Sequence, residues 1–462
     1  MQEVTFSPGE VEKATQGRRV AGGEKEPLLF TGISIDSRTV RRGQLFVAIH
    51  GKRFDGHDFL EAAFEQGAAG AVVDRWPLKG IATGRSIWQV PETLRALGDL
   101  ARFHRSRFSI EVAAITGSSG KTTTKGMLAH LLSENWEVLS TPGTQNNLIG
   151  VPMTLLQLHR GHRAAVLELG TNQWGEIRRL AEILRPTIGM VTNIGPAHLQ
   201  AFGSLEGVLR AKGELWKSMD PQAPLILNAD DPLLRRAAER LGPRVTWFGM
   251  DPRADVRISQ AEGGSWGSRC FINGRWKLEL PLPGRHSLLN AAAALACAQR
   301  LGRDLAGSVR RLQTVPSISG RLTVREQDGV LFLDDSYNAN PASLQAALEV
   351  LVSVERPGRK ILVVGDMLEL GDQAEALHEE MGRSVAHQVD LLVAVGGMAH
   401  RLLSSAQEAG LPREAGQAFK TSDEAGEFLM PSVRSGDTVL IKGSRGMQME
   451  RVLACCTTFS IR

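Results

Sequence analysis

The segment Ala114-Ile-Thr-Gly-Ser-Ser-Gly-Lys-Thr-Thr-Thr124 constrains this chain more than any other. It reads as the end of a buried strand (Ser109 to Thr116), a glycine-bounded loop, and the start of a helix. Such a loop turns backbone N–H groups inward and adds a helix N-terminus, so it holds phosphate. Lys121 would neutralise phosphate charge, and the Thr122 hydroxyl would bind Mg²⁺. The pattern is a shortened phosphate loop, Gly-x-x-Gly-Lys-Thr, with Ile115 where the longer form has its first glycine. An ordinary strand-to-helix turn also uses glycine. The lysine, the threonine and the flanking strand and helix together favour phosphate.

At 462 residues the chain exceeds one hydrophobic core, and roughly two to four domains are expected. The 42% hydrophobic and 23% charged fractions are those of a water-soluble globular protein. A net charge of +4 gives no sign of a nucleic-acid surface, which needs clustered basic residues. Cys270, Cys297, Cys455 and Cys456 lack metal-ligand spacing and read as reduced thiols of a cytoplasmic protein. Met1 to Arg19 is charged without an apolar core, so no signal peptide is expected. No apolar run is long enough for a membrane span.

The chain divides by pattern into three α/β units. A small first unit holds Gly32-Ile-Ser-Ile-Asp-Ser-Arg38, Gln44–Ile49, a helix from about Phe59, and Ala69–Asp74, then a helical stretch Glu92–Phe108. The middle unit alternates strands (Val112–Thr116, Ala164–Leu169, Ile188–Ile194, Leu225–Asn228) with helices, which implies a parallel sheet. It closes with an alanine-rich helix, Leu288–Leu301, and a Pro/Ser/Gly linker, Thr314–Gly320. The last unit repeats the pattern at Val330–Leu333, Lys360–Gly365, Leu391–Gly396 and Thr438–Lys442. The expected boundaries are 1–108, 109–315 and 316–462.

Ligands of open parallel sheets sit beyond the carboxyl ends of the strands. Glu168 ends the run Ala164-Ala-Val-Leu-Glu168, where a carboxylate would ligate Mg²⁺ beside the phosphate loop or simply cap a helix. Asn193 ends the next strand, and His198 follows in the loop, open between a surface histidine and a second-metal contact. Lys212 falls on the apolar stripe Leu205, Val208, Leu209, Lys212, Leu215, Trp216 of a helix capped by Ser204. It either snorkels outward or turns inward as a neutral, reactive amine; pattern alone leans toward snorkelling. Asn290, in the first turn of the alanine-rich helix, is by itself a cap candidate. Arg321 stands at a unit junction, within reach of a phosphate across a cleft. Asp334-Asp-Ser-Tyr-Asn-Ala-Asn-Pro341 follows an apolar run. Asn340 and Pro341 suit a helix start, but capping does not explain the stacked Asp, Ser, Tyr and Asn. Tyr337 is the single tyrosine of the chain.

With these strings in order from Asp36-Ser-Arg38 to Lys442-Gly-Ser-Arg445, the chain resembles the Mur ligases of peptidoglycan synthesis. The resemblance implies a central P-loop-type ATPase domain, a small N-terminal α/β domain that receives a UDP-sugar substrate, and a C-terminal Rossmann-like domain. Gly117, Ser118, Ser119, Gly120, Lys121, Thr122 and Thr123 resemble the family's ATP loop, joined in ATP binding by Asn290, Arg321 and Asp335. Thr122, Glu168, His198 and a carbamylated Lys212 would hold two Mg²⁺ ions, and Lys121, His198 and Lys212 would be catalytic. Ser34, Asp36, Ser37, Arg38, Phe46, Asp55 and His57 would receive the UDP substrate. Asp334–Pro341 and Gly365-Asp-Met-Leu-Glu-Leu-Gly371 resemble the member that adds D-alanyl-D-alanine, with Tyr337, Asn338 and Asn340 near that dipeptide. The implied activity is ATP-dependent joining of D-alanyl-D-alanine to UDP-N-acetylmuramoyl-tripeptide. A monomer acting on small molecules is expected. A relative adding a single amino acid and a folylpolyglutamate synthetase-like ligase remain alternatives. No Asn-Lys-x-Asp string supports a GTPase.

Overall fold

Three sheets follow one another along the chain in the computed structural model, which describes residues 4–22, 29–51, 53–76, 85–264 and 266–458. Residues 1–3 and 459–462, at the ends of the expected outer units, lie outside the described residues. The first sheet has strand order Arg18–Ala21, Ser86–Gln89, Gly70–Val73, Leu45–Val47, Ile33–Ser34. All its pairs are parallel except the first.

The central sheet is built outward from Glu111–Thr116. On one side lie His162–Glu168 and then the edge strand Glu137–Ser140; on the other lie Ile188–Val191, Leu225–Asn228 and Val245–Gly249, all parallel. The connection leaving Glu168 crosses Glu111–Thr116 to reach Ile188, so the winding reverses beside the phosphate-loop strand. Such a reversal opens a crevice at the carboxyl ends of the strands. Val112–Thr116 and Ala164–Glu168 are buried along their whole length, as strands covered by helices on both faces must be. One cover is the helix Arg285–Arg300, whose Ala291–Ala294 run is fully buried. Its small side chains let it pack closely on the helix Lys121–Leu132 that follows the phosphate loop.

The sequence implies a parallel sheet for the middle unit, but the sheet is not parallel throughout. After Val245–Gly249 the sheet continues into Val256–Gly263, still parallel, and then antiparallel through Ser268–Ile272 and Trp276–Leu280. Cys270, Ile272, Leu278 and Leu280 point inward, while Arg269, Lys277 and Glu279 face water. That two-residue alternation is the mark of a one-sided antiparallel ribbon.

The C-terminal sheet runs Thr323–Gln327, Val330–Asp335, Thr438–Lys442, Lys360–Gly365, Leu391–Val395, Gly416–Phe419. Only the hairpin strand Thr323–Gln327 is antiparallel. Val330–Asp335 and Thr438–Lys442 lie side by side, with Asp335 paired in register with Lys442. Their carboxyl ends therefore reach the same edge, which faces the central unit. All four cysteines carry free thiols, and no helix of the described residues is long and apolar enough to cross a membrane.

Candidate active site

The phosphate loop owes its shape to two glycines. Gly117 (φ +146°) and Gly120 (φ +77°) occupy backbone conformations that favour glycine. A Cβ on Gly117 would lie 1.9 Å from Thr192 Oγ1, and one on Gly120 would lie 2.2 Å from Asn290 Oδ1. The loop is fastened to the next strand end. Ser118 N–H donates to the Asn193 carbonyl (3.0 Å), Ser119 N–H to Asn193 Oδ1 (3.0 Å), and Ser118 Oγ to the Gly195 carbonyl (3.0 Å). Asn193 thus has a positioning task, while Asn290 receives the Thr124 hydroxyl at 3.3 Å. Asn290 is buried in the second turn of a helix that begins at Arg285, not in the first turn expected, so it packs under the loop instead of capping.

Lys121 begins the helix, and its Nζ donates to the Gly117 carbonyl at 3.0 Å. Enclosure by protein lowers its pKa, and the Glu168 carboxylate pulls in the opposite direction. The Thr122 hydroxyl donates to Glu168 Oε2 at 2.8 Å, and Asn146 Nδ2 donates to Oε1 at 2.7 Å. Glu168 is nearly fully buried at its strand end, so it is a fixed carboxylate inside the site and not a helix cap. Lys125, one turn beyond Lys121, donates to the carbonyls of Thr141 (2.7 Å) and Gly143 (2.5 Å). It pins the loop that carries Thr144 and Asn146.

Lys212 points inward. It ends the helix Leu205–Lys212, which Ser204 caps by accepting from Gly207 N–H at 3.1 Å. The chain breaks at Gly213 before a second short helix, Glu214–Lys217, so the continuous helix through Trp216 does not form. Lys212 is 2% exposed, whereas Leu205, expected on the same buried stripe, is 39% exposed. Burial, with the nearby Lys121 charge adding to it, holds the Lys212 amine well below the ordinary lysine range. Among the described residues, none is hydrogen-bonded or ion-paired to its Nζ.

The C-terminal unit supplies the opposite wall. Arg321 donates to Thr122 Oγ1 at 3.3 Å, and its guanidinium lies 4.2 Å over the Tyr337 ring. Asp335 Oδ1 accepts from Leu322 N–H at 3.2 Å, and Oδ2 pairs with Lys442 Nζ at 2.5 Å. Lys442 also donates to the Asn338 carbonyl at 2.9 Å. Burial lowers its pKa, against the pull of Asp335. The Tyr337 hydroxyl meets Thr144 Oγ1 across the interface. Asn340 caps the helix Pro341–Ser353 and reaches the Ser118 carbonyl at 3.5 Å. Asn338 Oδ1 accepts from Arg445 N–H at 3.4 Å.

One cavity of about 540 Å³ joins these groups. Ser118 to Thr123, Glu168, His198 and Asn290 line it from the central unit; Arg321, Asp335, Tyr337, Asn338 and Asn340 line it from the C-terminal unit. Gly117 and Lys212 lie behind this lining. Lys442, Arg445, His286, Thr144 and Asn146 also line it, and sequence reasoning assigned them no role. Lys442 ends a parallel strand, the same signal that marked Glu168.

The seven N-terminal residues lie apart from this cavity. Ser34 Oγ donates to the Asp36 carbonyl at 3.1 Å, and Asp36 pairs with Arg38 at 2.7 Å. Ser37 lies between them, half-buried. That pairing and the Arg38 N–H hold Asp36 down at about 2. Phe46 is 1% exposed in the N-terminal core, which leaves its backbone, not its ring, for a ligand. His57 is buried, donating from Nδ1 to Asp55 (2.7 Å) while Nε2 accepts from Asp74 N–H (3.1 Å). Its ring therefore holds the loop together.

Comparison with known proteins gives this arrangement a family. Residues 115–298 match the Mur ligase middle domain, 320–445 the Mur ligase glutamate ligase domain, and 29–105 the Mur ligase family catalytic domain. The UDP-N-acetylmuramoyl-tripeptide–D-alanyl-D-alanine ligase of Escherichia coli is 39% identical, covering 92% of this chain and 93% of the relative. The chain belongs to the Mur ligase family. The Bacillus subtilis ligase of the same description is 32% identical over 94% of both chains. Among solved structures, MurF from Acinetobacter baumannii superposes with a TM-score of 0.90 at 34% identity, covering 99% of this Mur ligase and 100% of that chain. MurF from Thermotoga maritima in complex with ADP gives 0.82 at 31% identity, over 92% of this chain and 96% of that one. The three-domain α/β architecture is thus that of these neighbours, and this Mur ligase is an ATP-dependent ligase.

Proposed function

We propose that this Mur ligase joins D-alanyl-D-alanine to the terminal carboxylate of UDP-N-acetylmuramoyl-tripeptide with consumption of ATP. The carrying observation is the contact of Arg321, from the C-terminal unit, with the phosphate-loop hydroxyl Thr122, itself held by Glu168. A phosphate seated on the loop meets basic groups from both units there. The relatives' shared description names the two substrates.

A carboxylate does not yield an amide until its oxygen becomes a leaving group. The γ-phosphoryl group of ATP passes to the tripeptide carboxylate, forming an acyl phosphate and ADP. The D-alanyl-D-alanine amine then attacks the carbonyl carbon, a tetrahedral intermediate forms, and phosphate leaves. Loop N–H groups and Lys121 stabilise charge on the phosphoryl oxygens. Arg321, with its plane fixed by Tyr337, adds a donor fork from the opposite wall. Asp335, oriented by Lys442, is the acceptor suited to the ribose hydroxyls or the phosphate-bound cation. Closure of the two units over the cavity keeps water from the acyl phosphate.

The residues present fit Mg²⁺. Thr122 and Glu168 offer hard oxygens at one point, and His198 lines the same cavity. Lys212, a buried amine without a partner among the described residues, suits carbamylation, which would turn it into an anionic oxygen ligand. Two Mg²⁺ ions would supply charge neutralisation for phosphoryl transfer, one at Thr122 and Glu168, the other at His198 and carbamylated Lys212. The N-terminal unit (1–108), with Ser34, Asp36, Ser37, Arg38, Asp55 and His57 on its exposed loops or supporting them, delivers the UDP end. The central unit (109–315) holds ATP. The C-terminal unit (316–462) brings the dipeptide near Tyr337, Asn338 and Asn340. A monomer in the cytoplasm, with reduced thiols, completes the reading.

The test is ADP release by the purified protein. Multiple-turnover ADP release should require UDP-muramoyl-tripeptide and D-alanyl-D-alanine together. Multiple turnovers with a single amino acid in place of the dipeptide would refute the substrate assignment.

A further inference from the structure

His198 is held from the other side of the domain interface. Its Nδ1 meets the Glu369 carboxylate, which belongs to the C-terminal unit. Glu369 lies in the loop Gly365-Asp-Met-Leu-Glu-Leu-Gly371, and His198 in the loop after the strand Ile188–Val191. Neither strand end could place the two together alone, because they are 171 residues apart.

Three more contacts fix the meeting point. Gln200 N–H donates to the Glu369 carbonyl at 3.1 Å. Leu199 and Phe202, on the short helix after His198, share one apolar cluster with Met367 and Leu370 of the Glu369 loop. Gly371 comes so near that a Cβ on it would lie 3.0 Å from Gln200 Cα. His198 (φ +55°) and Glu369 (φ +63°) both hold left-handed backbone conformations, which are uncommon outside glycine. Such conformations persist only where the surroundings over-determine them. The Phe202 ring closes the remaining side of the imidazole, edge-on, with centroids 6.4 Å apart.

The chemistry of the pair sets the tautomer. An ionised carboxylate only accepts, so Nδ1 must carry the proton. In a neutral ring that leaves the Nε2 lone pair as the free ligand atom. His198 lines the cavity, whereas Glu369 does not. Glu369 therefore works behind the histidine. The pair is half-open to solvent, with side chains 27% and 50% exposed, so its effect is orientation more than stability.

We propose that Glu369 is a positioning residue, supplied by the C-terminal unit, that fixes the His198 ring with Nε2 as its metal-binding atom. A histidine ligand whose second nitrogen is tied to a carboxylate binds metal more tightly. Here the tie comes from a different unit, so metal affinity at His198 depends on how the two units meet. The proposal rests on His198 being a metal contact.

The experiment titrates Mn²⁺ into enzyme saturated with ADP, following free ion by electron paramagnetic resonance. Glu369→Ala, Glu369→Gln, His198→Ala and the Glu369→Ala/His198→Ala double variant are compared with the parent. Glu369→Ala should weaken the affected Mn²⁺ site roughly ten- to a hundredfold. The KM for UDP-tripeptide should stay at the parent value, and Glu369→Gln, which keeps a carbonyl acceptor, should recover most of the loss. The double variant should match His198→Ala to within about twofold, because one residue acts through the other. Parental Mn²⁺ affinity in Glu369→Ala, beside a loss in His198→Ala, would overturn the proposal and leave the metal reading standing. So would multiplicative losses in the double variant. Parental affinity in His198→Ala would overturn the metal reading itself. Should Glu369→Ala fail to fold, Glu369→Asp, one methylene too short for Nδ1, takes its place against Glu369→Gln.

Discussion

Replacing Lys212 with methionine should make this Mur ligase more stable and inactive at once. Lys212 is 2% exposed, and its amine is held well below the ordinary value of 10.5 by burial and by Lys121. The unfolded chain keeps the lysine proton up to the ordinary pKa, while the folded chain has already lost it at lower pH. Between those two values unfolding takes up a proton. Parental stability therefore rises with pH by about 1.4 kcal/mol per unit in that window, and the penalty is full below it. Methionine keeps most of the apolar stem and removes the amine. Relief of an unpartnered buried polar group is worth about 1–3 kcal/mol. In a unit of about 200 residues each kcal/mol raises Tm by roughly 2–4 °C. The assay is urea unfolding of parent and variant from pH 7.5 to 9.5 in metal-free, CO₂-free buffer, with ADP release measured in parallel under full substrate. The variant should be the more stable at pH 7.5, the gap should narrow as pH rises, by at most about 1.4 kcal/mol per pH unit, and ADP release should be absent. Parallel stability curves, or a variant weaker at every pH, would show that the folded protein keeps this amine charged and partnered.

Gly120→Ala should abolish detectable ADP binding by calorimetry, since its Cβ would sit 2.2 Å from Asn290 Oδ1 at φ +77°; the left-handed backbone alone adds about 1–2 kcal/mol. Lys442→Met should cost about 3–5 kcal/mol in urea unfolding by stranding the buried Asp335 carboxylate, and adding Asp335→Asn should recover much of it. His104 is buried, its Nε2 against the Leu158 carbonyl at 2.9 Å, and burial lowers its pKa from 6.5 to about 4. The folded form resists protonation, so stability should be intact above pH 6.5 and fall by about 3 kcal/mol as pH drops to 4; His104→Gln should lose that share of the acid sensitivity in pH-dependent unfolding.

Much of the site was legible because one rule governs it: in a parallel sheet, chemistry collects past the carboxyl ends of strands. That rule finds the phosphate loop after Thr116, Glu168, Asn193 and Asp335, and applied once more it finds Lys442 at the end of Thr438–Lys442. The antiparallel ribbon was missed: its alternation through Cys270 and Ile272 is short and one-sided, a weaker signal than the long buried strands beside it. Other features depend on how two units meet. Thr144 with Tyr337, and His198 with Glu369, are 193 and 171 residues apart and belong to no shared local pattern. Lys212 shows why such features escape a sequence reading. Its place on an apolar stripe allows both snorkelling and burial, and the choice falls to whatever covers the stripe. Val208 and Ala211, its helix neighbours, pack into the same cluster as Leu331, Leu333 and Leu344 of the C-terminal unit. One side of this helix is thus covered by a different domain, and the lysine at its end is closed in by neighbours that its own stripe does not name.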